Sequence, residues 1–417
     1  MPVQLTEEER KIAAGAAGEA SGLAMRILAE MAGLLGAPHL IPVVSAHIDG
    51  AVYHGDCGVY FGERLAQGGG KVAVPTTLNV GGLDLVNHTV KSTKHGHEMA
   101  LRLMRAYEAM GCRPTWICAP YQAGHRPKLG EQVAWGESNA VAFCNSVLGA
   151  RTNRYGDFLD ICCALLGRAP YYGLHVPENR RATLLVDVSG LSPALKAKDV
   201  LYPVLGYWYG QELGGAVGVI EGLPNTASED QLKAFGAACA SSGAIGLFHM
   251  AGLTPEAPTA AAALGARPPE KTIRVTPEML RSVRDKLSTA TAERIDAVAL
   301  GSPHFSDAEF AELARLLAGR RSAIPFFVCT GRAVVERLAA KGTLAALKAS
   351  DITVVADTCV VVAPILPDKK GVLMTNSGKF AHYTPANTGY GVIYGSLEDC
   401  VASAMTGRVT RDESVWA

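Results

Sequence analysis

No apolar run in this chain reaches the roughly 18 residues that a membrane-spanning helix needs, because glycine, proline or charge interrupts every candidate. An excess of one charge sign is missing too. With 39 Lys and Arg against 39 Asp and Glu, no global field favours nucleic acid or an anionic membrane, and neither is expected as a partner. The opening MPVQLTEEERKI has neither the basic stretch nor the apolar core of a secretory signal, so a cytoplasmic protein is expected. Ten cysteines lack paired or regular spacing, which argues against a disulfide framework. Neither CxxC nor HxxxH occurs, so any metal site has to be assembled from distant segments. The GxxxxGK spacing that cradles phosphates and the GxGxxG dinucleotide fingerprint are both absent.

What is present is an alternation of short apolar runs with helical patterns. Thr6 and Glu9 form a capping box ahead of an Ala/Leu/Met pattern over 10–35, which predicts one long helix closed by Gly36 and Pro38. LIPVVSAH (40–47), KVAVPTTLN (71–79), PTWICAPY (114–121), AIGLFHM (244–250), DAVALGSPH (296–304), IPFFVCTGR (324–332), ITVVADTC (352–359) and GVLMTNSGK (371–379) read as buried strands, with helices over 306–319 and 333–350. This order predicts an α/β fold with largely parallel sheets. In such sheets ligands sit outside the carboxyl ends of the strands, where the sequence places Ser45, His47, Asn79, Cys118, Ser302, His304, Cys329, Cys359, Asn376 and Ser377. A Pro/Ala-rich stretch at 254–272 predicts two lobes within the 417 residues, 1–272 and 273–417.

Cys118, Cys329 and Cys359 each follow an apolar run. Three thiolates from separate segments suit an iron–sulfur cluster with an open iron position, while buried thiols packed at strand ends explain the same pattern. Cys162 and Cys163 fall within a helical pattern and read as core. AHIDGAVYHGD (46–56) packs two His and two Asp beside glycines, as either an acid–base segment or a turn. ESNAVAFCNSVLGARTNR (137–154) offers Asn153 and a guanidinium, Arg151 or Arg154, for a carboxylate, or a solvated surface. Thr375, Asn376, Ser377 and Lys379 in TNSGKFAHY suit an anion-binding turn.

Together, SAHIDGAVYHGD, VAVPTTLNVGGLDL, CAPYQ, GESNAVAFCNSVLGARTNR, GSPHFS, ADTCVVVAP and MTNSGKFAHY resemble the large-subunit region of the aconitase X family, from about residue 5 to residue 395. The resemblance implies a layered α/β/α aconitase-like architecture lacking the swivel domain, one catalytic region over 1–417, and an iron–sulfur-dependent hydro-lyase. Its known activities are dehydrations of cis-3-hydroxy-L-proline, giving Δ1-pyrroline-2-carboxylate, and of mevalonate 5-phosphate. The former is expected here, with the latter as the alternative and an inactive scaffold subunit as a reading from another class. Cys118 and Cys359 match family cysteines. Where the archaeal branch has a cysteine this chain has Ser302, which leaves Cys329 as the third metal ligand and favours a 2Fe-2S cluster over 3Fe-4S or 4Fe-4S. The implied catalytic residues are Ser45, His47 and Lys379, and the implied substrate-binding residues are Asn79, Arg151, Asn153, Thr375, Asn376 and Ser377. A small swivel-domain subunit is the expected partner, forming a heterodimer that completes the site for the small-molecule substrate.

Overall fold

The computed structural model describes residues 3–367 and 370–416, which divide into two compact units. The first comprises residues 1–83 and 92–180, and the second residues 84–91 and 181–417. The break therefore follows Arg180, and the stretch 254–272 lies inside the second unit, where its short Thr259-capped helix Ala260–Ala263 packs on Ala182 and Val219.

In the first unit the Thr6–Glu9 capping box forms, but the predicted single helix is two, Glu7–Ala13 and Glu19–Leu34. The reason is local: Gly15 and Gly18 adopt φ of +97° and +94°, a region closed to a continuing right-handed helix. Strands β1 (Leu40–Pro42), β2 (Ala46–Ile48), β3 (Thr76–Leu78), β4 (Ala134–Trp135) and β5 (Arg168–Pro170) follow. β1 pairs antiparallel with β5, while β3, β2 and β4 form a parallel sheet in that order. PTWICAPY is not a strand. Pro114 has no N–H to donate, Trp116 turns to φ +44°, and the Thr115 side chain takes over ladder duty by exchanging hydrogen bonds with the Leu78 backbone at 3.1 and 2.8 Å. Cys118 consequently sits on irregular backbone beside β3 rather than at a strand end.

The second unit holds two parallel sheets. β6 (Leu184–Asp187), β7 (Gly218–Glu221), β8 (His249–Met250) and β9 (Lys271–Arg274) are ordered β8-β7-β6-β9. β10 (Ala297–Leu300), β11 (Phe326–Thr330), β12 (Ile352–Ala356), β13 (Val372–Thr375) and β14 (Gly391–Tyr394) are ordered β12-β11-β10-β13-β14. Both faces of this larger sheet are covered, which is why its strands read as apolar runs. Phe326, Val328 and Val354 pack on one face against Phe310 and Leu313 of helix Asp307–Leu317 and Val334 and Leu338 of helix Arg332–Ala340. Phe327, Cys329 and Val355 pack on the other with Phe380 of helix Gly378–Thr388 and the 359–366 loop. The chain order reverses between β10 and β13, and the loops leaving their carboxyl ends open a crevice there.

Candidate active site

Each unit gathers its own set of the expected residues. In the first, the register pairs His47 of β2 with Thr77 of β3 and with Trp135 of β4, so the three side chains stand in a row on one face. His47 is fully buried, its Nδ1 lies 2.9 Å from Thr77 Oγ1, and its ring packs on Trp135 with centroids 5.6 Å apart. Burial, reinforced by the neighbouring His125, drives its pKa down to about 3, so the imidazole is neutral. Ser45 precedes β2 and lies at the amino end of that strand, opposite to the end expected for it. At the carboxyl end, Asn79 Nδ2 donates to Asp49, and Asp160 accepts the Asp49 and Gly50 N–H groups at 2.7 and 3.2 Å. Burial raises the Asp160 carboxyl to about 8 despite those two donors.

Glu137 caps helix Ser138–Phe143, and Asn139 donates both to Glu137 and, at 3.1 Å, to the Cys118 carbonyl, which fixes the backbone that carries this thiol. Asn153 is committed to the 172–174 turn: its amide donates to Tyr172 O at 3.0 Å and its oxygen accepts the Leu174 N–H at 2.8 Å. Arg151 is half-buried. Ser45 Oγ, His47 Nε2, Asn79 Oδ1, His125 Nε2, Trp135 Nε1, Asn139 Oδ1 and Arg151 Nε are all buried without a hydrogen-bond partner among the described residues. Such a concentration of orphaned polar atoms is costly unless a ligand, water or another chain satisfies them. The second half of AHIDGAVYHGD is more ordinary. Asp56 opens helix Asp56–Gln67 and bonds Tyr53 at 2.8 Å and His95 at 3.2 Å, which supports the turn reading there.

In the second unit the crevice between β10 and β13 is lined by Gly301, Ser302, Pro303, Asn376, Ser377 and Lys233. Ser377 caps helix Gly378–Thr388, accepting the Phe380 N–H at 3.0 Å while donating to Ser302 O, and Thr375 accepts the Ser377 N–H at 3.1 Å. Ser377 and Thr375 therefore shape the turn, and Asn376 is the expected residue that the crevice exposes. Lys379 lies one residue into the same helix, half-buried. Along the same sheet edge Cys329 lies in β11, opposite Val355 of β12, and Cys359 follows β12 by three residues. Between them Asp357, at φ +64°, takes a bidentate ion pair from Arg332 at 3.0 and 2.7 Å, and Asp84 accepts the Ala356 N–H.

The chemistry of the donor set fits thiolate ligation of iron. Cys118 and Cys359 each retain 7% exposure at the edge of their cores, whereas Cys329 is fully enclosed, sharing an apolar cluster with Cys359. Among the described residues no three His, Cys, Asp or Glu side chains are gathered closely enough to hold a metal ion by themselves. Sequence reasoning missed Thr77, His125, Asp160 and Lys233. Thr77 lies inside the quoted KVAVPTTLN stretch and Asp160 and His125 lie near quoted motifs, but the contacts that distinguish all four are long-range.

Comparison with known proteins gives a consistent result. Models for the aconitase X first, second and third domains match residues 2–178, 182–285 and 295–406. The chain is 44% identical to a cis-3-hydroxy-L-proline dehydratase of Pseudomonas aeruginosa, over 98% of this chain and 71% of that protein. It is 37% identical to a phosphomevalonate dehydratase large subunit of Thermococcus kodakarensis, over 96% of this chain and 99% of the relative. The crystal structure of the Thermococcus kodakaraensis aconitase X (holo-form) superposes with a TM-score of 0.87 at 36% identity, covering 96% of this chain and 100% of that one. No helix among the described residues is long and apolar enough to cross a membrane.

Proposed function

Because the chain belongs to the aconitase X family of hydro-lyases, we propose that it dehydrates cis-3-hydroxy-L-proline to Δ1-pyrroline-2-carboxylate in the cytoplasm, as the large subunit of a heterodimer with an iron–sulfur cluster. The observation that carries this reading is the 44% identity over 98% of the chain to a dehydratase of that substrate, against 37% to a phosphomevalonate dehydratase large subunit. The candidate positioning groups agree. Only Arg151 and Lys379 among them are cationic, which suits a single carboxylate better than a dianionic phosphate.

In this reading Cys118, Cys329 and Cys359 hold the cluster, of 2Fe-2S type, which when bound supplies a Lewis acid for the departing hydroxyl. The rest of the chemistry falls to side chains. The substrate α-proton is weakly acidic, so it needs a base held close to Cα and donors fixed on the carboxylate before the proton moves. Asn79, Arg151 and Asn376 supply donors. Ser377 and Thr375 hold the turn that carries Asn376, and Asn153 supports the loop beside Arg151. Ser45, His47 and Lys379 form this chain's share of the acid–base set, and a small swivel subunit closes over it, excludes water and supplies the remainder. The partner is supported by the relative that this chain covers to 99%, which is itself a large subunit.

The test is to express the chain with and without its candidate small subunit, reconstitute the cluster anaerobically, and assay both substrates. Turnover of cis-3-hydroxy-L-proline only by the pair is expected. Turnover of mevalonate 5-phosphate alone overturns the substrate, full turnover by the isolated chain overturns the partner requirement, and a colourless protein that takes up no iron overturns the cluster.

A further inference from the structure

Two imidazoles in the first unit share one hydroxyl. Thr77 Oγ1 lies 2.9 Å from His47 Nδ1 and 2.7 Å from His125 Nδ1. A threonine hydroxyl carries one proton, so it donates to only one of these nitrogens, and the other must donate to it. In the arrangement that leaves His47 able to accept a proton at Nε2, His47 Nδ1 donates to Thr77 Oγ1 and the Thr77 hydroxyl donates to His125 Nδ1. The two neutral rings are thereby held in opposite tautomers: His47 presents a bare Nε2 lone pair and His125 an Nε2–H. Both Nε2 atoms are buried without a partner, His47 in a fully buried ring and His125 in a half-buried one, and both rings flank Trp135, at 5.6 and 5.1 Å.

From this geometry we propose that His47, Thr77 and His125 form a proton relay that carries a proton from the candidate site to the more open edge of the first unit, with Thr77 and His125 as positioning residues. A proton arriving at His47 Nε2 is matched by passage of the His47 Nδ1 proton to Thr77 Oγ1, of the Thr77 hydroxyl proton to His125 Nδ1, and of the His125 Nε2 proton to a water admitted to that buried atom of the half-buried ring. One proton enters and one leaves, and every ring ends neutral. The relay answers a difficulty that the site poses. Burial and the neighbouring His125, opposed by Glu137, leave His47 with a pKa of about 3, and burial with Arg113 leaves His125 at about 4. Neither ring can store a positive charge at neutral pH, so His47 accepts a proton only if it hands one on. The backbone fixes the alignment: His47 and Thr77 are register partners across β2 and β3, and the 120–124 turn sets His125 through its N–H to Pro120 O at 3.0 Å.

The proposal rests on the reading that His47 borders the substrate, so the experiment has one arm independent of activity. In the full chain labelled with 15N-histidine, nitrogen chemical shifts at pH 5 and pH 7 should show one ring protonated at Nδ1 and one at Nε2, with His125→Gln removing the latter. Thr77→Val should mix the tautomers and lower kcat by about 100-fold with KM unchanged, while Thr77→Ser restores both. The solvent deuterium effect on kcat should differ between Thr77→Val and the parent protein. The same tautomer on both rings, or rings unchanged in Thr77→Val, overturns the relay. Opposite tautomers that are lost in Thr77→Val without a change in kcat overturn its part in the reaction and the placement of His47 beside the substrate.

Discussion

Replacing Lys233 by methionine keeps the shape of the side chain and removes a cation whose side chain is 1% exposed in the second unit. Its Nζ contacts Asp230 at 2.8 Å, Glu309, and the His304 carbonyl at 3.2 Å, so it ties helix Glu229–Ser242 to the turn that follows β10. Burial alone would depress the Lys233 pKa, but Glu309 and Asp230 more than offset this and hold the ammonium charged. Losing one partner of a buried pair costs about 3–5 kcal/mol, and because Asp230 and Glu309 keep 27% and 23% exposure the low end applies, about 3 kcal/mol. For a unit of about 240 residues that is a fall in Tm of roughly 6–12 °C. The cost should depend on pH. Burial raises the Glu309 carboxyl to about 7, above the value near 4.3 of an unfolded chain, so its contribution to stability is present below that lower value and is lost as pH rises through about 7. Without Lys233 the carboxyl rises further, hence Lys233→Met should be mild at pH 5 and severe at pH 8. Scanning calorimetry at both pH values measures this, and adding Glu309→Gln, which removes the orphaned charge, should recover at least half of the loss. An equal cost at both pH values, or no recovery in the double variant, would refute the argument.

Cys118→Ala and Cys359→Ala should each abolish the visible absorption of the reconstituted cluster and turnover, while Cys162→Ala, a core position in helix Leu159–Leu166, should spare both. Normal iron in a Cys359 variant would remove it from the ligand set, and iron content in Cys329→Ala decides the third ligand. Asp160, raised to about 8 by burial, stabilises the first unit below the usual carboxylate range and loses that contribution as pH rises through about 8. The Tm of Asp160→Asn, which keeps an acceptor for the Asp49 and Gly50 N–H groups, should therefore fall less between pH 6 and pH 9 than that of the parent. Gly301→Ala puts a Cβ 2.1 Å from the Cys329 carbonyl at φ +93°, and urea unfolding should show a loss of about 3 kcal/mol or more. An unchanged midpoint would contradict the placement of that turn.

Several features are set by residues close together in the chain. Thr6 with Glu9 and Ser306 with Glu309 close their capping boxes because each pair spans one helical turn, and the glycines at 15 and 18 break the first helix by their own backbone freedom. The parallel α/β class was legible because strands covered on both faces must be apolar throughout, as in ITVVA and FFVCT. The long motifs around Ser45, Asn79, Cys118 and Cys359 carry the family for the same reason: they are contiguous.

Strand order is not contiguous, and no local pattern specifies it. That β10 lies between β11 and β13, which creates the crevice exposing Asn376, follows from which faces pack together. The packing of separate segments likewise took Cys118 off the strand end, moved Ser45 to the opposite end of β2, and committed Asn153 to a turn. Lys233 reads as a surface residue of a helix until Asp230 and Glu309 close over it. His47, Thr77 and His125 are 30 and 48 residues apart, and only the parallel register of β2 and β3 with the 120–124 turn places one hydroxyl between two imidazoles. Sequence proximity determined the helix caps, the apolar strands of the larger sheet and the contiguous family motifs. Long-range packing alone decided which polar groups are buried together, because desolvation and hydrogen-bond satisfaction act on atoms that are neighbours in space rather than along the chain.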